Sequence, residues 1–219
     1  NFGDLDNDGW LDFYVGTGDP DLKTLIPNRM FRNGFGKCFQ DVTTAGGFGH
    51  VQKGHGIAFA DLDNDGDQDI FLNVGGFLVT DVAHRALFEN PGFGNHWINL
   101  KLEGVRSNRS AIGARIQVDV DSPEGERSIY RTVCTGGSFG SNPLHQAIGL
   151  GQATAIRRVT ITWPGIGRKD VYENLPLDRF VTIREGKSKP AISATKPISL
   201  SPTRGREPPP VTCCEPNQR

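Results

Sequence analysis

Two hydrophobic patterns divide the chain. From residue 96 to residue 186, apolar and polar side chains alternate in short runs: Ile98, Leu100 and Leu102; Ile112, Ala114, Ile116, Val118 and Val120; Val159, Ile161 and Trp163; Val181 and Ile183. A period of two marks strands with one buried face, the pattern of antiparallel sheets. Ser107-Asn108, Ser122-Pro123-Glu124-Gly125, Gly136-Gly137, Ser141-Asn142-Pro143 and Pro164-Gly165 punctuate the runs with turn residues. The segment thus reads as about seven strands, the number expected of a sandwich. Nothing in it keeps a helical period.

Residues 1–95 follow a different rhythm. Short β-rich runs, Asp12-Phe13-Tyr14-Val15 and Asp69-Ile70-Phe71-Leu72-Asn73-Val74, each follow an acidic loop, and Gly56-Ile57-Ala58-Phe59-Ala60 leads into the second loop. Further on, Asn28-Arg29-Met30-Phe31-Arg32-Asn33 echoes Arg85-Ala86-Leu87-Phe88-Glu89-Asn90. Both the loops and the echoes repeat at an offset of 57 residues. A period near this length fits a four-stranded propeller blade, and closing a propeller takes about 4 to 8 of them. Fewer than two are present, so either the chain is the C-terminal piece of a longer propeller, which is the expectation favoured, or the repeats pack in an open arrangement. From residue 187 to 219, Pro, Ser, Thr, Lys and Arg dominate, and too little apolar surface is present to offset ordering entropy. Disorder is expected there.

Composition sharpens this all-β reading. Glycine (28) and proline (14) are abundant and methionine occurs once, which suits turns and short strands. No apolar run approaches the roughly 18 to 20 residues that span a bilayer. The net charge of −1 conceals an asymmetry. Residues 1–95 hold 6 Lys/Arg against 14 Asp/Glu, and residues 96–219 hold 18 against 11. The acidity is concentrated in the two loops. The basic residues are scattered without aromatic interleaving, which argues against a nucleic-acid partner. Cys38, Cys134, Cys213 and Cys214 have no zinc-type spacing and leave the compartment undecided.

The loops carry the chemistry. Asp4, Asp6, Asp8 and Asp12 stand at relative positions 1, 3, 5 and 9, with Gly9 at position 6; Asp61, Asp63, Asp65 and Asp69 repeat this around Gly66. Alternate spacing aims the first three carboxylates at one centre, and the glycine permits the sharp turn. Hard oxygen ligands at this density suit Ca2+, with the backbone carbonyls of Trp10 and Asp67 at position 7 as further donors. Without a cation, four carboxylates within nine residues repel one another. Magnesium fits less well, because it prefers fewer protein ligands. An EF-hand needs Glu at position 12, where Val15 and Leu72 stand. Thrombospondin-type calcium repeats are shorter and cysteine-linked. With so many ligands committed, two structural calcium ions are expected and a catalytic ion is not.

These loops resemble those of FG-GAP/VCBS repeats, the calcium-bearing blades of integrin-type propellers. Gly104-Val105-Arg106-Ser107-Asn108-Arg109-Ser110-Ala111-Ile112-Gly113-Ala114-Arg115 resembles the ASPIC/UnbV domain of cartilage-acidic-protein-like chains. So do Gly136-Gly137-Ser138-Phe139, His145, Gly149-Leu150-Gly151, Val159-Thr160-Ile161-Thr162-Trp163-Pro164, Glu173-Asn174 and Ile183-Arg184-Glu185-Gly186. The expected architecture is therefore partial β-propeller blades (1–95), an antiparallel β-sandwich (96–186) and a disordered tail (187–219). The resemblance implies calcium-bound β structure, export to a secreted, periplasmic or cell-surface location, and interaction with glycan, matrix or protein.

Other positions are less specific. Arg106, Asn108 and Arg109 either bind an anion or glycan at a loop tip or fix the turn, and both readings stay open. Trp97 and Trp163 are expected in the core rather than as sugar platforms. His50, His55 and His145 read as ordinary hydrogen-bonded histidines, since no G-x-S-x-G elbow accompanies them. The UnbV branch of the resemblance implies an alternative, an enzyme or accessory protein of natural-product biosynthesis. That role needs a pocket in residues 96–186, around His145, Arg109 and Ser138.

Overall fold

The computed structural model describes all residues except 19, 20, 22, 76–83, 135, 138, 195 and 201–219. Among the described residues every regular element is a strand. The first sheet is a four-stranded meander of β1 (Phe2–Gly3), β2 (Asp12–Val15), β3 (Arg29–Gly34) and β4 (Cys38–Asp41). The second contains β5 (Gly54–Ala60), β6 (Asp69–Val74) and β7 (Ala86–Phe88). Both are antiparallel throughout. Among the described residues the second blade thus has three strands, where the repeat predicted four. After β7 the chain leaves for the next domain.

The two blades pack face to face on one apolar cluster. Tyr14 and Met30 of the first blade meet Phe59, Ile70, Leu72 and Phe88 of the second. Gly3 lies so close to the Phe59 ring that a Cβ there would stand 2.2 Å from it. The opposite face of the first blade carries Phe2, Phe13, Phe31 and Phe39 in ring contact, with centroids 4.7–5.8 Å apart. Phe2 and Phe39 are about half exposed, at 55% and 50%.

The third and fourth sheets form a sandwich around a separate core that includes Ile98, Leu100, Val118, Ile148, Val159, Trp163 and Ile183. One sheet orders β10 (Gly125–Thr132), β9 (Arg115–Ser122), β12 (Ala155–Thr162) and β13 (Lys169–Glu173). The other orders β11 (Gln146–Gly151), β8 (His96–Glu103), β14 (Arg179–Arg184) and β15 (Ala191–Ser193). Seven strands fall between residues 96 and 186, as the alternation predicted.

Three details differ from the sequence reading. β14 pairs with β8 in parallel, from Arg179↔Ile98 to Arg184↔Glu103. Period-two alternation reports burial but not strand direction, so this pairing was hidden. Ile112 is exposed while Ala111 is buried, because β9 begins only at Arg115 and a turn precedes it. The expectation of disorder from residue 187 onward fails for its first part. Ala191–Ser193 adds an edge strand to β14, and the Ile198 N–H donates to the Asp63 carbonyl at 2.7 Å. Backbone hydrogen bonds hold this stretch despite its sparse apolar content. Residues 201–219, with Cys213 and Cys214, lie outside the described residues.

Candidate metal centre

Each acidic loop folds through the same local hydrogen bonds, copied at the 57-residue offset. The position-1 carboxylate accepts the glycine N–H at position 6: Gly9 to Asp4 Oδ2 at 3.0 Å, Gly66 to Asp61 Oδ2 at 3.1 Å. The position-5 carboxylate accepts the N–H at position 7: Trp10 to Asp8 Oδ1 at 2.8 Å, Asp67 to Asp65 Oδ1 at 2.9 Å. Two left-handed residues make the curl, Asn7 (φ 53) with Gly9 (φ 93) and Asn64 (φ 62) with Gly66 (φ 101). Asparagine at position 4 is a signal the sequence reading passed over. It is among the few non-glycine residues that accept positive φ readily.

The curl brings Asp4, Asp6 and Asp8 together, and likewise Asp61, Asp63 and Asp65, with one carboxylate oxygen of each within 4.8 Å of the others. The position-9 carboxylates behave differently. Asp12 accepts the Leu5 and Asn33 N–H groups, at 2.8 and 2.7 Å. Asp69 accepts those of Leu62 and Asn90, at 3.0 and 2.9 Å. Each therefore pins its loop to the strand hairpin behind it, leaving only further lone pairs for an ion. The Asp67 side chain takes a hydrogen bond from Asn7 Nδ2 at 2.8 Å, which links one loop to the other. Gln68 Oε1 accepts the Asp4 N–H at 2.8 Å, and Asn90 Nδ2 donates to the Leu5 carbonyl at 2.7 Å. The two loops form one interlocked unit.

The sandwich closes over this unit. Arg131 of β10 reaches Asp4 Oδ2 at 3.0 Å, with the two side chains 9% and 1% exposed. The Gly149 N–H of β11 donates to the same oxygen at 3.2 Å. Trp97 lies on Gly66, where a Cβ would stand 1.9 Å from the indole. Gly66 is thus fixed twice, by its φ and by this ring. Arg32 in the first blade clasps Asp6 Oδ2 through Nε at 2.6 Å and Nη2 at 2.5 Å.

Charge in the loops is only partly compensated. Asp4 Oδ1, Asp8 Oδ2 and Asp61 Oδ1 are buried without a hydrogen-bond partner. Such orphaned acceptors are uncommon, and each calls for an explanation. Burial pushes Asp4 up to about 7, with Arg131 opposing and Asp8, Asp12 and Asp6 adding to the rise. Burial also pushes Asp12 up to about 7 against two backbone hydrogen bonds. Asp61 rises to about 6 through burial and the Asp65 charge, and Asp67 to about 6 from the same two causes. Carboxylates crowded and desolvated in this way are short of positive charge, which a divalent cation would supply.

The remaining predicted positions fall elsewhere. Asn108 closes its turn in both directions: its Nδ2 donates to the Ile112 carbonyl at 2.8 Å and its Oδ1 accepts the Ile112 N–H at 2.9 Å. Arg106 and Arg109 have exposed side chains on the same loop. The loop's successive N–H groups, at Val105, Arg106 and Ser107, all point at Glu185 Oε2, at 2.7–2.9 Å. Trp163 is core, and its Nε1 donates to Asp170 at 2.9 Å. His145 lines a cleft of about 490 Å³ between blades and sandwich, along with Tyr130, Arg131 and Asn142. Burial, helped by Lys101, holds that imidazole below its ordinary pKa. Arg109 is not among the residues lining the cleft, and Ser138 lies outside the described residues.

Paired acidic loops on stacked four-stranded-type blades, followed by a β-sandwich, define a propeller-type repeat module with an appended all-β domain. Residues 3–72 match the family model of an FG-GAP-like repeat, and residues 104–190 match that of ASPIC and UnbV. The chain carries FG-GAP repeats followed by an ASPIC/UnbV domain. Among curated proteins none matches it.

Proposed function

We propose that the chain is an exported, calcium-binding interaction module in which the ions are structural and the surface engages a glycan, matrix or protein partner. One observation carries the metal reading: buried carboxylate oxygens without partners, Asp4 Oδ1 and Asp8 Oδ2 in one trio and Asp61 Oδ1 in the other. Asp4, Asp6, Asp8 and Asp12 would hold one ion, and Asp61, Asp63, Asp65 and Asp69 the second. The backbone carbonyls of Trp10 and Asp67 would complete the sets. Calcium favours such all-oxygen cages. A bound ion would neutralise the loops and lock the turn between consecutive strands of each blade. The family of repeats supports an interaction role, and a secreted, periplasmic or cell-surface site supplies the calcium.

Thermal melting tests the metal reading. Excess chelator should lower Tm, and restored calcium should recover it, since a ligand held only by the folded state stabilises it by mass action. Asp63→Ala should remove part of the calcium-dependent gain by opening its cage. A melting curve indifferent to chelator would sink the structural-calcium idea. A glycan array, followed by assay for turnover of any bound glycan, separates binding from catalysis.

A further inference from the structure

We propose that the two acidic loops are unequal cation sites: the second, flanked by Glu89, binds calcium first, and the first is guarded by Arg32 and Arg131. This rests on the calcium reading above and adds an order of filling to it. The inequality begins at one repeat position, to which the sandwich arginines and Asp67, standing where the first loop has Trp10, add. Arg32 and Glu89 are equivalent at the 57-residue offset, each following a phenylalanine, Phe31 or Phe88. The backbone delivers both to the same place. The next residue in each blade, Asn33 or Asn90, donates its N–H to Oδ1 of the position-9 aspartate, at 2.7 and 2.9 Å.

In the first blade that place holds a cation. Both near nitrogens of Arg32 lie on Asp6 Oδ2, an oxygen of a carboxylate in the ion-binding trio. Arg131 occupies Asp4 Oδ2 from the opposite side, and Arg127 lies near enough for its charge to act on Asp8. In the second blade the equivalent position is a carboxylate, Glu89, beside the Asn90 N–H that holds Asp69 Oδ1. Among the described residues no Lys or Arg forms an ion pair with Asp61, Asp63, Asp65, Asp67 or Asp69. The second loop therefore presents five aspartates and a glutamate with no resident cation. The first presents four aspartates against three arginines.

Two consequences follow for an ion. Calcium affinity rises with the number of charged ligands around it, over decades in the dissociation constant. An ion entering the first loop must also share Asp6 with Arg32 or displace it. Yet the first loop remains a site, because Asp4 Oδ1 and Asp8 Oδ2 stay buried and unpartnered beside the arginines. The second keeps Asp61 Oδ1 in the same condition. So the loops differ in affinity and not in kind.

Calorimetric titration of the chelator-stripped chain with calcium chloride reads this directly. Two steps are expected, separated by on the order of tenfold or more. Glu89→Gln should weaken the tighter step several-fold and leave the weaker one in place. Arg32→Gln should tighten the weaker step several-fold and leave the tighter one in place. Both side chains are exposed, and circular dichroism of each variant checks that it is folded before titration. Two indistinguishable steps, or an Arg32→Gln chain in which the weaker step stays put, would overturn the ordering while leaving calcium binding intact. No binding in any of the three chains would overturn both the ordering and the calcium reading.

Discussion

At the scale of single residues, carboxylates settle most of what is particular to this chain, and one of them lies outside the acidic loops. Glu185 is buried, and its Oε2 accepts three successive N–H groups from Val105, Arg106 and Ser107. Burial alone would raise its pKa, but the three backbone bonds, aided by Arg168, outweigh that and hold it below the ordinary carboxylate value. A group depressed on folding lends stability that is present above its unfolded pKa and lost as pH falls through its folded pKa. Glu185→Gln should therefore cost roughly 1–3 kcal/mol at neutral pH, in line with hydrogen bonds to a charged group. The gap between variant and parent should close as pH drops below the carboxylate range, read by denaturant melts at several pH values. A constant gap would mean that shape and not charge holds the loop. Single residues were also where the sequence was most and least legible. The Asp trios were plain from alternate spacing. Arg131 was not, since it meets Asp4 from 127 residues away, and no local pattern announces a partner at that distance.

At the scale of elements, the repeat provides its own control experiment. β2 and β6 are copies, with Phe13 and Ile70 at equivalent positions and Tyr14 matched to Phe71. Yet burial is inverted between them. Ile70 is fully buried and Phe71 is exposed, whereas Tyr14 is fully buried and Phe13 only half-buried. The reason is stacking: the second blade lays its Ile70 face on the Tyr14 face of the first. β2 and β6 carry apolar side chains on both faces, Tyr14 against Phe13 and Val15, and Ile70 and Leu72 against Phe71. This explains why the β2 and β6 runs do not alternate as cleanly as the sandwich strands. Ile70→Ala should thus cost about 2–5 kcal/mol, as for large-to-small changes in a packed core. Phe13→Ala removes a larger side chain from the equivalent position, yet it should cost less, because solvent already reaches that face. Equilibrium unfolding of the two variants compares them, and equal losses would contradict the stacking described. The strand-type periodicity made the elements legible. Which face is covered was decided by tertiary packing, which a single strand's sequence does not contain.

At the scale of the whole molecule, blades and sandwich are joined through the acidic loops themselves. Asp4 is shared: it holds its own loop through the Gly9 N–H and receives Arg131 and the Gly149 N–H from the sandwich. The Gly151 N–H donates to the Asn7 carbonyl at 2.8 Å. Asn142, legible only as a turn residue, bridges the two blades at equivalent positions: it donates to the Phe2 carbonyl at 2.7 Å and accepts the Phe59 N–H at 2.9 Å. An order of domains was readable in the sequence, but this shared loop was not, since it depends on backbone approach between segments far apart. One such approach is at Gly149, where a Cβ would stand 2.3 Å from the Asn7 backbone. Backbone cannot yield as a flexible side chain does, so Gly149→Ala should push β11 off the first loop. Crowding of this kind costs typically about 1–3 kcal/mol. The parent chain, with both domains gripping Asp4, is expected to melt in one calorimetric transition. The variant should melt in two, because the separate cores of blades and sandwich no longer share a loop. Of those two, only the blade transition should move when chelator is added, which assigns it. A single transition retained in Gly149→Ala would show that the domains stay coupled without the Asp4 junction, and the weight would then fall on the Asn142 bridge.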